Sequence, residues 1–182
     1  MSDLTQAYLK ACLTYDPETG VFRWKARPVH HFSAGGHMSS QSIADGWNAK
    51  YAGRICGCPD GEYWKITIDD RKYRAHIIAW VYVKGCFPVL EIDHRDKNGL
   101  NNCFLNLREA TTSQNGTNKG KPSTNKSGAK GAHFHKGAQR WRAQIACLGK
   151  RRHLGYFDTP EAAHERYRQA ARELHGEFAR FE

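Results

Sequence analysis

The chain has 182 residues, 40% of them hydrophobic, 12% aromatic and 25% charged. That supplies apolar material for one ordinary domain or two small ones and excludes a wholly disordered polymer. The apolar run Ile77 to Val83 is far shorter than the roughly 18 residues a bilayer span needs, so no membrane contact is expected. The segment Met1-Ser2-Asp3-Leu4-Thr5-Gln6 has neither a basic cap nor an apolar stretch of signal-peptide type, and a cytoplasmic protein is expected. Cysteines stand at 12, 56, 58, 86, 103 and 147 without the paired spacings of a structural zinc site, so reduced thiols are expected. The net charge of +10 implies a polyanionic partner. The excess lies towards the C-terminus: residues 121–182 hold 13 basic and 6 acidic side chains, against 15 and 12 in residues 1–120.

In chain order, Leu4 to Leu13 has apolar residues at helical spacing and ends in Pro17 and Gly20 turn chemistry. Val21 to Trp24 reads as a strand, and Arg27 to Asn48, rich in Gly, Ser and His, as a long loop. Two alternating runs, Glu62 to Ile68 and Arg71 to His76, flank Asp69-Asp70 in the pattern of a β-hairpin. A helix from Ile77 to about Lys84, closed by Gly85, follows. Leu90 to Lys119 reads as a strand, an Asn-, Asp- and Gly-rich loop, a second strand at Leu107 to Ala110, and a helix capped by Thr or Ser near residue 111. Gly120 to Gly128 carries no large apolar residue and reads as a linker. Beyond it, Gly131 to Phe134, Arg140 to Ile145 and Arg152 to Phe157 read as three strands, and Thr159-Pro160 starts a helix with an Ala, Tyr and Leu stripe. The expected class is α+β: a helix and hairpin region leading into a strand–loop–strand–helix unit, then a small three-stranded antiparallel sheet packed on one helix. The expected boundaries are 1–119, a linker at 120–127, and 128–182.

Titratable and oxygen-donor side chains are densest in Asp93-His94-Arg95-Asp96, followed by Asn98, Asn101, Asn102, Asn106 and Gln114-Asn115. A hard divalent cation takes carboxylate, amide and phosphate oxygens, and a histidine with a pKa near 6.5 can draw a proton from water beside a phosphate. Strand neighbours project to opposite faces, so Asp93 and His94 share a site only if the strand ends or twists there. The ordered set Asp-His, Asn-Asn, Asn-Leu-Arg and Gln-Asn over residues 91–118, with Ala75-His76-Ile77-Ile78-Ala79-Trp80 upstream, resembles the HNH endonuclease motif of phage and intron homing nucleases.

The resemblance implies a ββα-metal unit over 90–119 in which His94 is the general base, with Asn106 supporting its loop as part of the catalytic set. It further implies that Asp93 and Asn115 hold one divalent metal, Mg2+ or Mn2+, with Asn115 standing where other branches carry histidine. Double-stranded DNA is the implied substrate, and the host cytosol the implied location if the protein is phage-encoded. Arg95, Arg108 and Lys119 are candidate phosphate contacts. His76 reads as a structural residue at a strand end or as an auxiliary group at the active site.

Residues 126–179, through Arg140-Trp141-Arg142-Ala143-Gln144-Ile145, Leu154-Gly155-Tyr156-Phe157 and His175-Gly176-Glu177-Phe178-Ala179, resemble the DNA-binding domain of plant ethylene-response factors (the APETALA type). That resemblance implies a sheet laid in the major groove. Alternation places Arg140, Arg142 and Gln144 on one face and Trp141, Ala143 and Ile145 on the other; Arg151 and Arg152 are further candidate contacts. The expected whole is a metal-dependent DNA endonuclease with a tethered DNA reader. One site cuts one strand per visit, so double-strand cleavage would take a homodimer or successive nicks. The alternative is a catalytically silent DNA-binding regulator that uses the HNH unit as scaffold.

Overall fold

A computed structural model describes residues 4–118, 128–147 and 149–181. The fold is α+β, as the residue pattern predicts, and divides into two units, Met1–Glu109 and Ala110–Glu182. No helix among the described residues is long and apolar enough to cross a membrane.

The first unit begins with α1 (Gln6–Cys12), capped by the Thr5 hydroxyl, which accepts from the Tyr8 amide at 3.2 Å. The chain passes straight into β1 (Leu13–Tyr15), which pairs antiparallel with β2 (Phe22–Trp24). The sequence pattern shows only the second of these strands, because three residues are too few to display alternation. The expected long loop at 27–48 is corrected: a 3₁₀ turn at Val29–His31 and the twelve-residue α2 (Ser40–Tyr51) occupy much of it. The Ser39 hydroxyl caps α2 by accepting from the Ser42 amide at 3.2 Å, and Ile43, Trp47 and Tyr51, four residues apart, form its half-buried stripe. Gly46 and the surrounding Ser and His residues mask that periodicity.

A three-stranded antiparallel sheet follows, β3 (Cys58–Asp60), β4 (Tyr63–Ile68) and β5 (Arg71–Arg74), in that spatial order. The β4–β5 turn has Asp69 at φ 48° and Asp70 at φ 61°, the two left-handed residues a two-residue hairpin requires and which Asp tolerates. The strand ends at Arg74, and α3 (Ala75–Lys84) begins two residues before the expected start. His76 therefore sits in the first turn of a helix and not at a strand end. Gly85, at φ 81°, closes α3. The core of this unit joins Leu9, Cys12, Leu13, Phe22, Ile66, Ile68, Ile78 and Val81, all at most 2% exposed. β6 (Glu91–His94) and β7 (Leu107–Ala110) form a separate two-stranded sheet, the intervening loop ending in a 3₁₀ turn at Phe104–Asn106.

The second unit starts with α4 (Thr112–Asn118), where the Gln114 side chain accepts from the Thr111 amide at 2.8 Å and the Thr111 hydroxyl accepts from the Gln114 amide at 3.3 Å. The linker segment and Lys119 lie outside the described residues. β8 (Ala132–His135), β9 (Arg140–Cys147) and β10 (Lys150–Phe157) form an antiparallel sheet with β9 central. α5 (Pro160–His175) packs on one face, with Pro160 in its first turn and the Thr159 hydroxyl accepting from Ala162 at 3.1 Å. Ala132, Ala143, Ile145, Ala163, Tyr167, Ala170 and Ala171 are the buried contact layer.

One contact ties the β1–β2 hairpin to the loop between β6 and β7. Gly20, at φ 73°, lies so close to the Asn102–Cys103 backbone that a Cβ would overlap it. The Tyr15 hydroxyl donates to the Asn102 carbonyl at 2.7 Å and the Phe104 amide to the Pro17 carbonyl at 2.8 Å. Gly20→Ala must adopt a left-handed backbone and displace that loop at once, and a loss of about 2 kcal/mol or more is expected in urea unfolding of the first unit.

Candidate active site

β6 carries three consecutive buried residues, Ile92, Asp93 and His94, and ends at the histidine. Asp93 and His94 are each 5% exposed and have different immediate partners. On one side Arg108 of β7 donates from Nε to Asp93 Oδ2 at 2.9 Å, with Nη2 at the same distance from that oxygen. Arg108 is itself 7% exposed, so the expectation that it holds a substrate phosphate is corrected: its charge is committed to balancing the buried carboxylate.

On the other side the His94 ring lies 5.0 Å from that of His76, edge-on at 85°, and 6.0 Å from that of Tyr63. His76 and Tyr63 are 5.6 Å apart, which closes the triangle. Arg74 stacks over the outer face of Tyr63 at 4.6 Å, and Gly99 approaches Tyr63 and the Glu62 carbonyl so closely that no Cβ would fit. Burial lowers the pKa of His94, while the Asn102 amide and the charges of Asp96 and Asp93 act in the opposite direction. The carboxylate of Asp93 thus acts on the imidazole beside it, although the two side chains have separate neighbours. Burial, then His94 and Arg74, depress His76 to about 4. Both imidazoles are neutral at physiological pH, the form in which a histidine accepts a proton.

The loop after His94 is knotted around the carboxylate of Asp96. Its Oδ1 accepts from the Asn98 amide at 2.8 Å and from Asn106 Nδ2 at 2.9 Å, and its Oδ2 accepts from Asn101 Nδ2 at 2.7 Å. Asn106 closes the ring, its Oδ1 accepting from the Asp96 amide at 3.0 Å and its backbone carbonyl from the Arg95 amide at 2.8 Å. Burial alone would raise the pKa of Asp96; hydrogen bonds from Asn101, the Asn98 amide and Asn106 hold it below the usual carboxylate range. Asn106 therefore braces the turn that fixes His94, and Arg95 is exposed on the outer side of that turn.

Asp93, His94, His76 and Asn106 are together in the first unit, whereas Asn115 is carried by α4 in the second. Sequence reasoning missed Tyr63 and the Arg108–Asp93 ion pair. Among the described residues no group of three or more His, Cys, Asp or Glu could hold a metal ion. Oxygen donors such as Asp93 and Asn115 are the kind a hard cation takes, but Asp93 Oδ2 is held by Arg108.

In the second unit, cross-strand partners share a face. The face away from α5 presents His133 and His135 of β8, Arg140, Arg142 and Gln144 of β9, and Arg151, His153 and Tyr156 of β10. Tyr156 lies 4.7 Å from the His153 ring and 5.4 Å from that of His135. Arg140 is partly engaged by Asp158, Nε to Oδ1 at 2.9 Å. Arg152 pairs with Ile145, so it leaves the sheet on the α5 side, opposite to Arg151. A bulge between His153 and Gly155 turns Leu154 onto the helix.

Residues 73–117 match the HNH endonuclease family model. The chain is 39% identical over 109 residues to protein 3.8 of Escherichia phage T7, an alignment covering 59% of this chain and 89% of the phage protein. The chain carries an HNH endonuclease domain. It is also 33% identical over 118 residues to a protein of Acanthamoeba polyphaga mimivirus described as an uncharacterized HNH endonuclease, covering 64% of this chain and 60% of that protein. No solved structure matches. The HNH match contains the whole of α3, β6, β7 and the Asp96 loop, so His76, Asp93, His94 and Asn106 all fall within it.

His76 has a lower pKa folded than unfolded, about 4 against 6.5. Its contribution to stability is fully present above about pH 6.5 and is lost as pH falls towards 4, at most about 3 kcal/mol. The melting temperature of the wild type is therefore expected to fall between about pH 7 and pH 5, and by less in His76→Gln, as calorimetry will show.

Proposed function

We propose that this HNH protein is a metal-dependent DNA endonuclease that hydrolyses a phosphodiester bond, with His94 as general base. The supporting observation is the neutral, buried imidazole at the end of β6, fixed between the His76–Tyr63 cluster and the Asp96 knot and flanked by the Asp93 carboxylate. Its ring nitrogen takes the proton of an attacking water, and the buried surroundings keep it unprotonated until then. Asp93 and, from its place in the motif, Asn115 are the residues that would hold a divalent cation, with Mg2+ or Mn2+ favoured by oxygen donors. Such an ion, when bound, supplies charge neutralisation at the phosphate and at the leaving oxygen. Arg95, exposed beside the turn, is suited to a phosphate contact, and Lys119 is assigned the same role from the sequence alone.

The second unit, in this reading a DNA-binding module over 128–182, contributes affinity. The family match ends at residue 117, so this part rests on the sheet: Arg142, Gln144 and Arg151 share an open face with three histidines and Tyr156. Arg140 joins them, and Arg152 is the weakest of the assigned contacts because it leaves the opposite side.

A plasmid-nicking assay in Mg2+ and Mn2+ tests the catalytic part. The wild type is expected to nick, and His94→Ala to lose about a hundredfold or more in rate while keeping its DNA affinity. The burial of Asp93 against Arg108 is the observation that favours the silent-regulator reading, and binding without cleavage in every divalent metal would establish it. For the sheet, Arg142→Ala combined with Arg151→Ala is expected to reduce the slope of log affinity against log salt by about one to two units; an unchanged slope removes the open face from the DNA contact.

A further inference from the structure

Between β2 and β4 lies a half-open cavity of about 1060 Å³ that the catalytic reading does not use. The size is that of a small-molecule or nucleotide site. Its walls are aromatic: Trp24, Phe32, Trp47, Tyr51 and Tyr73. The Trp24 and Trp47 rings are 5.1 Å apart at 84°, and Phe32 is 5.8 Å from Trp47. None of these rings is fully buried.

The walls are braced by Arg27, which is only 6% exposed. Its guanidinium lies 5.1 Å from the centre of Phe32 and 5.4 Å from that of Trp47. Its Nη2 donates to Asp69 Oδ1 and to the Tyr8 hydroxyl, each at 2.7 Å. Asn48 of α2 fixes its backbone in both directions, accepting from the Arg27 amide at 2.8 Å and donating to its carbonyl at 3.0 Å. The buried charge is satisfied and the rings are held before any ligand arrives, which lowers the ordering cost of binding. Lys65, Arg71 and His30 also line the cavity, and Arg71 and His30 are exposed.

Half-buried aromatic rings lining a cleft beside an exposed arginine are the chemistry that receives a nucleobase and its phosphates. We propose that this cavity binds an unstacked nucleobase of a DNA strand, the base lying against Trp47 and its neighbours and the flanking phosphates meeting Arg71 and Lys65. β4 links the two sites, with Tyr63 beside His94 at one end and Ile68 lining the cavity at the other. The five residue steps from Tyr63 to Ile68 span about 17 Å, roughly five steps of duplex rise. The proposal adds a second DNA contact to the nuclease reading and does not require cleavage.

The test is fluorescence anisotropy of a labelled short oligothymidylate in EDTA with the full chain. Wild type is expected to bind it at least fivefold more tightly than an abasic strand with the same number of phosphates, the range that stacking of one base supplies. Thymidine monophosphate in excess should displace it, whereas failure of the mononucleotide alone would confine the site to bases carried by a strand. Trp47→Leu should abolish the preference for the base-bearing strand, and Arg71→Glu, at the exposed first position of β5, should weaken both strands severalfold. Arg142→Ala with Arg151→Ala should leave the preference intact. Equal wild-type affinity for the two strands overturns the proposal, as does a folded Trp47→Leu that keeps the preference; if Trp47→Leu does not fold, the wild-type comparison decides. The assay runs in EDTA and reads binding without cleavage, so a failed nicking assay leaves this result unaffected.

Discussion

The carboxylate of Asp96 is the anchor on which the geometry around His94 depends. Three side-chain and backbone N–H groups converge on it, from Asn98, Asn101 and Asn106, and Asn106 returns a hydrogen bond to the Asp96 amide. Charge-assisted hydrogen bonds of this kind are about twice as strong as neutral ones. They replace the strand ladder at the point where β6 stops, which lets the chain turn sharply without leaving the histidine loosely held. The hairpin contact at Gly20 secures the far side of the same loop.

Two adjacent residues receive opposite electrostatic treatment. Arg108 balances the Asp93 carboxylate in the interior, while burial holds the His94 imidazole below its ordinary pKa against the opposing pull of Asp96 and Asp93. Breaking a buried pair by removing one partner usually costs 3–5 kcal/mol, so Arg108 has a structural value as well as an electrostatic one. At His94 burial outweighs two nearby carboxylates, whereas Asp93 has a direct ion-pair partner. That difference in surroundings is the usual way in which one site holds an acidic and a basic function at a single pH.

Much of this was legible from residue order. The β4–β5 hairpin followed from alternation around Asp69-Asp70, the start of α5 from Thr159-Pro160, and the Asp93, His94, Asn106 set from the spacing of a motif. The short strands β1 and β3 were not legible, since a three-residue strand has no measurable period. α2 was hidden because Gly46 and polar residues interrupt a stripe whose apolar members recur only every fourth position. The Asn-rich loop suggested oxygen ligands, and its amides instead serve Asp96; composition identifies donors and acceptors but not which of them find each other. The two faces of the second sheet followed from alternation on β9, but the separation of Arg151 from Arg152 needed the register of β10.

The bulge in β10 has an effect on tolerance to change. If the same residues ran without a bulge, strict alternation would send Tyr156 under the helix and Phe157 into water. With it, Tyr156 joins the histidines and Phe157 packs beside Trp141 and Ala163. The bulge absorbs the extra residue, so deleting residue 154 would leave a regular strand with Tyr156 and Phe157 on the faces they now occupy. A one-residue change of length elsewhere in β9 or β10 would instead send every later side chain to the other face, so this module accepts altered length at the bulge and altered side chains along the open face.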